Sequence, residues 1–375
     1  MHKNFFKKVI SASNQELHGS YNVSAFGMIL FRFVLGFVIF FYIVDVYLYA
    51  CIGNNSNKNL IINIICDNNG YGTEADREIL TEALERFGCF VKSMNCHDST
   101  IPDFADINLF VETLVPDKFP YAIQNWFIPN PDWYLHCKEN SSALHFVDLV
   151  LCRTREVERI FNQLHPHVYY LGFTSRDCYR PQVEKNYGNY FHLAGKSPLK
   201  GTKTIQNIWE LNASLPFLTV IDVNNHWTLK KNIEWYSYRV SESKLRDLQN
   251  AFGIHLCPSE TEGFGHYLVE AMSVGAVILT TDAPPMNEFI KDPRCLIESC
   301  STGVYHLAKT YQISPDLFRK KILSLRRLSS GALEEIGLKN RNNYLLRKQE
   351  FYDNFSLLIN NVQYQIHRDS FTKEN

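Results

Sequence analysis

Residues 257–281 read CPSETEGFGHYLVEAMSVGAVILTT, and this stretch decides the fold. Its two glutamates, Glu262 and Glu270, have seven residues between them. Glu262 precedes a glycine-rich turn, and Glu270 lies among apolar residues at helical spacing, which predicts that Glu270 lies on the helix that the turn opens. Free N–H groups at a helix start attract anions, and carboxylates accept hydrogen bonds from hydroxyls. The pattern therefore indicates a site that suits a sugar nucleotide.

The same stretch also fits a buried helix–strand unit whose glutamates serve only as a capping device. A capping box, however, joins positions three residues apart. The wider spacing of Glu262 and Glu270 therefore favours the functional interpretation.

The stretch resembles the signature of retaining GT-B glycosyltransferases of the glycosyl transferases group 1 family. That signature is Pro-Ser-x-x-Glu-Gly-Phe-Gly, followed by a Glu-Ala-Met helix, a small-residue turn and a Val-rich strand, and each part is present. The resemblance implies an α/β GT-B fold, in which two Rossmann-like domains with parallel sheets face each other across a cleft. It further implies transfer of a sugar from a nucleotide-diphosphate sugar with retention of anomeric configuration, in which the leaving phosphate takes the proton of the acceptor.

The resemblance also implies roles for the residues of this stretch. Glu262 would contact hydroxyls of the donor sugar, and Glu270 would contact the ribose hydroxyls. The turn Gly263-Phe264-Gly265 would direct backbone N–H groups at the leaving diphosphate, whose growing negative charge needs preorganised donors.

A basic pair is the second part of the resemblance. Residues 195–201 read GKSPLKG and follow the first predicted strand of the second domain. Lys200 matches the family's lysine on the donor diphosphate, whereas Lys196 replaces its more usual arginine, which keeps the charge but loses the planar fork. Together with Glu262, the two lysines are the predicted catalytic groups; the alternative for the lysines is a solvated turn.

Three further positions correspond to donor-binding parts of the family. Arg239, in the triplet Tyr238-Arg239-Val240, lies where the family holds the base. Gly70 and Gly72 match the family's glycine-rich loop in the first domain. An ordinary strand end explains Arg239 equally well, and an ordinary tight turn explains the two glycines.

The chain departs from the family pattern in the first domain. Many members carry a histidine after a strand, near the sugar, but the comparable residues 126–134 read WFIPNPDWY and contain none. Asn130 and Asp132 lie in this rigid, aromatic turn and are the acceptor-side candidates. The departure leaves the positioning of sugar and acceptor open.

Composition excludes several other classes of protein. The 375 residues are 45% hydrophobic and 21% charged, as in globular proteins, and the net charge of −1 gives no basic field for nucleic acid. The ten cysteines show no C-x-x-C spacing, which predicts mostly reduced, buried thiols. No D-x-D sequence occurs, so we expect neither a metal ion on the diphosphate nor any cofactor besides the donor substrate.

The amino-terminal region predicts a membrane anchor at residues 26–52. Residues 33–52 contain one charge, Asp45, and residues 26–44 contain one charge, Arg32, so either window is long enough to cross a bilayer. Basic residues concentrate before the apolar core, which predicts a single-pass type II protein with a cytoplasmic amino terminus. The alternative is an apolar helix that packs on the catalytic domain.

Alternation of strand and helix patterns occurs twice along the chain, which predicts two parallel sheets covered by helices. We expect an amino-terminal tail and anchor at residues 1–53, an acceptor-side Rossmann-like domain at 59–186, a donor-binding domain at 187–345, and a carboxyl-terminal helix and tail at 346–375 that crosses back.

The sequence leaves the acceptor open among glycan, lipid and protein. Two alternatives to a glycosyltransferase also stand: another GT-B enzyme such as a nucleotide-sugar epimerase, and a catalytically degenerate GT-B protein that binds glycans or acts as a scaffold.

Overall fold

Two parallel six-stranded sheets organise the chain, as the alternating pattern predicts. The computed structural model describes residues 59–373, apart from residues 69, 71, 135–137, 196 and 229. The predicted anchor at residues 26–52 lies outside this part. Within the described residues, no helix is long and apolar enough to cross a membrane.

The first sheet follows the strand order β2-β1-β3-β4-β5-β6. Its central strands are almost wholly buried because helices or long connections cover both faces. The strands are β1 (Ile61–Cys66), β2 (Phe90–Asn95), β3 (Ala105–Val111), β4 (Ala122–Ile128), β5 (Leu149–Cys152) and β6 (Val168–Tyr170). The connecting helices are α1 (Gly72–Arg86), α2 (Lys138–Leu144) and α3 (Arg155–Phe161).

The second sheet follows the order β12-β11-β10-β7-β8-β9, which is the Rossmann arrangement. Its strands are β7 (Asn186–Leu193), β8 (Leu218–Ile221), β9 (Ile233–Tyr236), β10 (Phe252–Cys257), β11 (Val277–Thr281) and β12 (Leu296–Ile297). Its helices are α4 (Thr202–Leu211), α5 (Glu242–Ala251), α6 (His266–Ser273) and α7 (Met286–Phe289).

A β-hairpin extends from the second sheet towards the first. Its strands, β13 (Ser299–Tyr305) and β14 (Ala308–Ile313), pair antiparallel. The Leu307 N–H donates to the carbonyl of Pro131, after β4, and the Tyr311 N–H donates to the carbonyl of Glu260, after β10. The hairpin therefore connects the carboxyl edges of the two sheets.

The last two helices are α8 (Pro315–Leu325) and α9 (Ser330–Lys373). Helix α9 packs against elements of the first sheet: Phe351 contacts Phe173 edge to face at 5.2 Å, and Tyr352 contacts Phe87 at 6.3 Å. The Asn354 side chain also donates to the Leu171 carbonyl. The end of the chain thus returns to the first sheet.

The sequence pattern locates most elements correctly but misses several short ones. The pattern does not predict strands β6, β9 and β12 or the β13–β14 hairpin, because two to four residues or an exposed ribbon carry too little periodicity. The eight described cysteines form no disulfide, and all but Cys300 are buried.

Candidate functional site

The carboxyl edge of the second sheet brings two of the predicted catalytic residues, Lys200 and Glu262, together. Successive strands run from β7 to one edge and from β10 to the other, so the order reverses between these two neighbours. Ligands of open α/β sheets bind in the crevice at such a reversal point. Lys200 follows β7 and Glu262 follows β10, so the topology alone makes them neighbours.

Lys200 and Glu262 form an ion pair. The Lys200 Nζ lies 2.5 Å from the Glu262 Oε1, and both side chains are largely buried. The Ser259 hydroxyl donates to the same carboxylate oxygen, and Lys200 Nζ stands 4.3 Å from the centre of the Tyr267 ring. These contacts hold one cation and one carboxylate in fixed positions at the reversal point.

The glycine-rich turn opens α6, as the sequence predicts. Gly265 precedes the helix at φ 92°, a left-handed conformation that favours glycine. The Phe264 ring is buried and packs edge to face on Phe173 and Phe289, so its side chain belongs to the core. Only the backbone of this turn is therefore placed to contact a ligand.

Glu270 lies on α6 and is held by the neighbouring helix α5. The Gln249 side chain donates to Glu270 Oε2 at 2.8 Å, and the Arg246 guanidinium lies 3.8 Å from the same oxygen. The structure thus orients this carboxylate from one side, at the start of α6's second turn.

Two of the remaining predicted donor-binding residues, Gly70 and Arg239, lie close to each other. Gly70 follows β1 at φ 76°, and a Cβ built there would lie 3.9 Å from the Arg239 guanidinium, which follows β9. Gly72 begins α1 and has open space on its Cβ side. Lys196 lies outside the described residues.

Asn130 and Asp132 lie against the signature loop. Asn130 packs so closely on Gly263 that a Cβ there would come 1.7 Å from Asn130 Oδ1. Both side chains are more than nine-tenths buried. Within the described part of the chain, Asn130 Oδ1 and Asp132 Oδ1 have no hydrogen-bond partner. The two predicted acceptor-side residues therefore lie beside the Glu262–Gly263 part of the signature loop, on the side of the other sheet.

Burial raises the pKa of Asp132 to about 7. The negative charges of Glu262 and Glu112 add to this rise, and Lys200 opposes it. A carboxyl group that exchanges its proton near neutral pH beside the Lys200–Glu262 pair can accept or donate a proton there.

A buried polar network, which the sequence pattern does not predict, lies behind the turn. Arg153 donates to Asp76 Oδ2 at 2.6 Å and to Glu112 Oε1 at 3.2 Å, and Asn130 donates to the same Glu112 oxygen. His266, the first residue of α6, lies 2.8 Å from Asp76 Oδ1. The network links α1, β3, β5 and the signature helix, so it fixes the two sheets relative to the site.

Burial and neighbouring charges both shift the pKa values of the carboxyl groups in this network. Burial opposes ionisation of Asp76, yet the Arg153 and His266 partners hold its pKa below the ordinary value. Burial raises the pKa of Glu112 in spite of Arg153. Glu112 also has a left-handed backbone, φ 63°, which is uncommon outside glycine and concentrates at functional sites. A charged residue directly after an apolar strand, as at Arg153, was the signal in the sequence.

Glu288 caps the start of α3. Its two carboxylate oxygens each accept a hydrogen bond of 2.8 Å, from the Arg155 and Glu156 N–H groups that begin α3. These contacts make Glu288 the cap of a helix that belongs to the other sheet.

Among the described residues, one group has the composition of a metal site. Ligand atoms of Asp67, Cys96 and His97 lie within 4.8 Å of one another at the ends of β1 and β2. Burial raises the pKa of the Cys96 thiol, which disfavours the thiolate that a metal needs.

Comparison with known proteins agrees with the signature. Residues 225–305 match the family model of glycosyl transferases group 1. This match contains Glu262 and Glu270 but covers less than a quarter of the chain. No curated protein matches the sequence significantly.

Solved structures show the same fold over most of the chain. A glycosyltransferase from Rickettsia africae superposes with a TM-score of 0.64 at 11% identity, over 82% of this chain and 99% of its own. Sucrose-phosphate synthase from Thermosynechococcus elongatus superposes with a TM-score of 0.59 at 11% identity, over 84% of this chain and 100% of its own. Anabaena HepE, solved with UDP and glucose, superposes with a TM-score of 0.54 at 12% identity, over 83% of this chain and 100% of its own. These likenesses confirm the α/β, GT-B-like fold with two parallel sheets.

Proposed function

We propose that this protein is a glycosyltransferase that moves a sugar from a nucleotide-diphosphate sugar to an acceptor, with retention of anomeric configuration and without a metal ion. The observation that carries the proposal is the pairing of Lys200 with Glu262 at the reversal point of a Rossmann sheet, beside the start of α6. The match to glycosyl transferases group 1 supports sugar transfer. The likeness to Anabaena HepE, which was solved with UDP and glucose, supports a nucleotide sugar as donor.

The pair suggests how the donor would be received. A diphosphate that enters the crevice competes with Glu262 for the Lys200 ammonium, since both are anions. Once Lys200 has moved to phosphate, Glu262 is released to accept hydrogen bonds from sugar hydroxyls, while the Ser259 hydroxyl still holds it. Donor binding would thus replace an internal ion pair by two ligand contacts.

In the proposed reaction, the acceptor hydroxyl oxygen forms a bond to the anomeric carbon. The bond from that carbon to the diphosphate oxygen breaks, and the departing nucleoside diphosphate takes the hydroxyl proton. Lys200 and the N–H groups of the Gly263–Gly265 turn would stabilise the charge that develops on the leaving group. Asn130 and Asp132 would line the acceptor side beside the signature turn.

A binding screen tests the donor site. The purified full-length chain in detergent is heated with a panel of nucleotides and nucleotide sugars in the presence of EDTA. A ligand at 100 times its dissociation constant stabilises a protein by about 2.7 kcal/mol, a readable shift in melting temperature. If no ligand in the panel raises the melting temperature of a chain that melts cooperatively, the result would favour the degenerate glycan-binding alternative.

Measurement of the reaction product distinguishes a retaining glycosyltransferase from the remaining alternatives. The donor found in the screen is incubated with candidate glycan, lipid and protein acceptors, and the product's anomeric configuration is read by NMR. We expect a retained configuration, no loss of rate with EDTA, and a large loss in Glu262→Gln. Interconversion of the nucleotide sugar without any acceptor would identify an epimerase instead, and an inverted product would contradict the proposed mechanism.

A further inference from the structure

The amino-terminal edge of the first sheet carries large apolar side chains that the protein leaves in solvent. Phe90 begins β2 and is 62% exposed, Phe104 directly precedes β3 and is 63% exposed, and Ile123 is the second residue of β4 and is 54% exposed. Ile101, three residues before Phe104, is 66% exposed. We call these four residues the apolar edge.

The strand register places members of the apolar edge on one face. Phe90 pairs with Ile61 of β1. The Ile61 N–H donates to the Asp106 carboxylate at 2.8 Å. Asp106 lies opposite Ile123 of β4, because the residues before and after these two are paired in the register of β3 and β4. Registered residues of a parallel sheet point to the same side, so Phe90 and Ile123 share a face.

A polar row separates the apolar edge from the core. Two residues further along the strands, the Asn63 amide donates to Asn108 Oδ1 at 3.0 Å, and the Asn108 amide donates to Asn125 Oδ1 at 3.4 Å. The core resumes only in the next row, with Phe110 and Phe127, which are fully buried. Polar side chains therefore separate the apolar edge from the core.

The described chain enters the fold at this same edge. Strand β1 begins at Ile61, beside Phe90. The preceding residues 53–59 read GNNSNKN, a polar linker that follows the predicted anchor at 26–52. Seven extended residues reach at most about 25 Å. A bilayer that holds the anchor must therefore come near the apolar edge.

We propose that the apolar edge docks on the surface of the lipid bilayer. Exposed apolar patches of this kind mark interaction sites, and the short linker brings a membrane, rather than a distant partner, within reach. The proposal rests on the predicted anchor and is independent of sugar transfer. The candidate site lies at the carboxyl edge of the strands, so it would stand about one strand length, roughly 20 Å, from the bilayer and open away from it.

Site-specific photo-crosslinking tests the docking. A photoactivatable amino acid replaces Phe104 or Ile123 in the full-length chain, which is reconstituted into phosphatidylcholine vesicles with a tritiated lipid. The matched control is Leu211, which is 83% exposed at the end of α4 in the second sheet's layer. We expect severalfold more lipid adduct at positions 104 and 123 than at position 211.

Each other outcome overturns the proposal. Equal labelling at the three positions, a crosslink to residues 26–52, a crosslink to a second copy, or failure of the chain to enter vesicles would each show that the bilayer does not cover the apolar edge. Near-UV circular dichroism confirms the fold of each variant, and Phe90 replaces any position whose variant unfolds.

Discussion

Asn130 lies directly against Gly263, with its Oδ1 1.7 Å from the place that a Cβ of residue 263 would occupy. The two residues come from different sheets, so their contact is where the carboxyl edges meet. Glycine at 263 is thus required by the tertiary structure and not by its own backbone torsion.

Gly263→Ala should therefore open this contact. The added methyl group cannot fit beside Asn130, so either the turn or the 130–132 segment must shift away from Glu262. We expect a large loss of sugar transfer with a smaller loss of stability. Asn130→Gly in the same chain should restore part of the donor affinity that Gly263→Ala loses, and Gly331→Ala, which has open space, should leave donor affinity and rate unchanged. A double variant that binds the donor no better than Gly263→Ala would refute the steric explanation.

Lys200→Met should abolish most donor binding, because it removes the cation assigned to the diphosphate. Truncation also leaves the buried Glu262 carboxylate without its partner, so a lower melting temperature is expected as well. Lys203→Met is the matched control, since Lys203 contacts Gln206 on α4 and lies outside the site. Nucleotide affinity measured by calorimetry should fall at least tenfold, about 1.4 kcal/mol, for Lys200 only. Equal affinities in both variants would exclude Lys200 from the donor site.

Asp132 should make stability depend on pH. Its pKa rises to about 7 in the folded protein, from an ordinary value near 3.9. Between these values the unfolded chain releases the proton first, so the free energy of unfolding falls as pH rises from about 4 to 7. Asp132→Asn should remove that fall and be more stable than the wild type at pH 8. Urea titrations across this range check the sign, and parallel curves for the two proteins would contradict it.

Arg153→Met should destabilise the chain strongly. Arg153 is 2% exposed and is bonded to Asp76 and Glu112, so its loss leaves Glu112 without its cation and Asp76 with His266 alone. Breaking such a buried pair costs about 3–5 kcal/mol. Arg159→Met is the control, because its ion pair with Glu156 lies at the surface, where such pairs contribute about 1 kcal/mol or less. Similar urea midpoints for the two variants would show that the buried network is dispensable.

Phe351→Ala should detach the end of the chain from the first sheet. The ring is fully buried against Phe173 and Phe355, and such truncations cost about 3–5 kcal/mol. Leu346→Ala, on the same helix but 71% exposed, should cost little. Hydrogen exchange of α9 and of β6 should accelerate together in the Phe351 variant. Faster exchange in α9 alone would mean that the helix does not stabilise the first sheet.

Local pattern was sufficient for the sheet-forming elements. The apolar runs of β1, β4 and β10 and the amphipathic spacing of α4 are visible in any short window, since burial imposes a period on the sequence. The Glu262–Glu270 stretch combined such a strand and helix with a turn, and it led to the correct fold class. Short or exposed elements, such as β9 and the β13–β14 hairpin, carry no such period and were missed.

The sequence by itself determined the fold class, the location of the signature turn and the residue types that could meet a sugar nucleotide. Tertiary structure decided what those residues contact: that Lys200 pairs with Glu262, that Phe264 belongs to the core, and that Asn130 meets Gly263. It also produced the Asp76–Arg153–Glu112 network, whose members lie far apart along the chain. The physical reason is that periodicity records burial along one element, whereas charge pairing and close packing depend on which strands become neighbours.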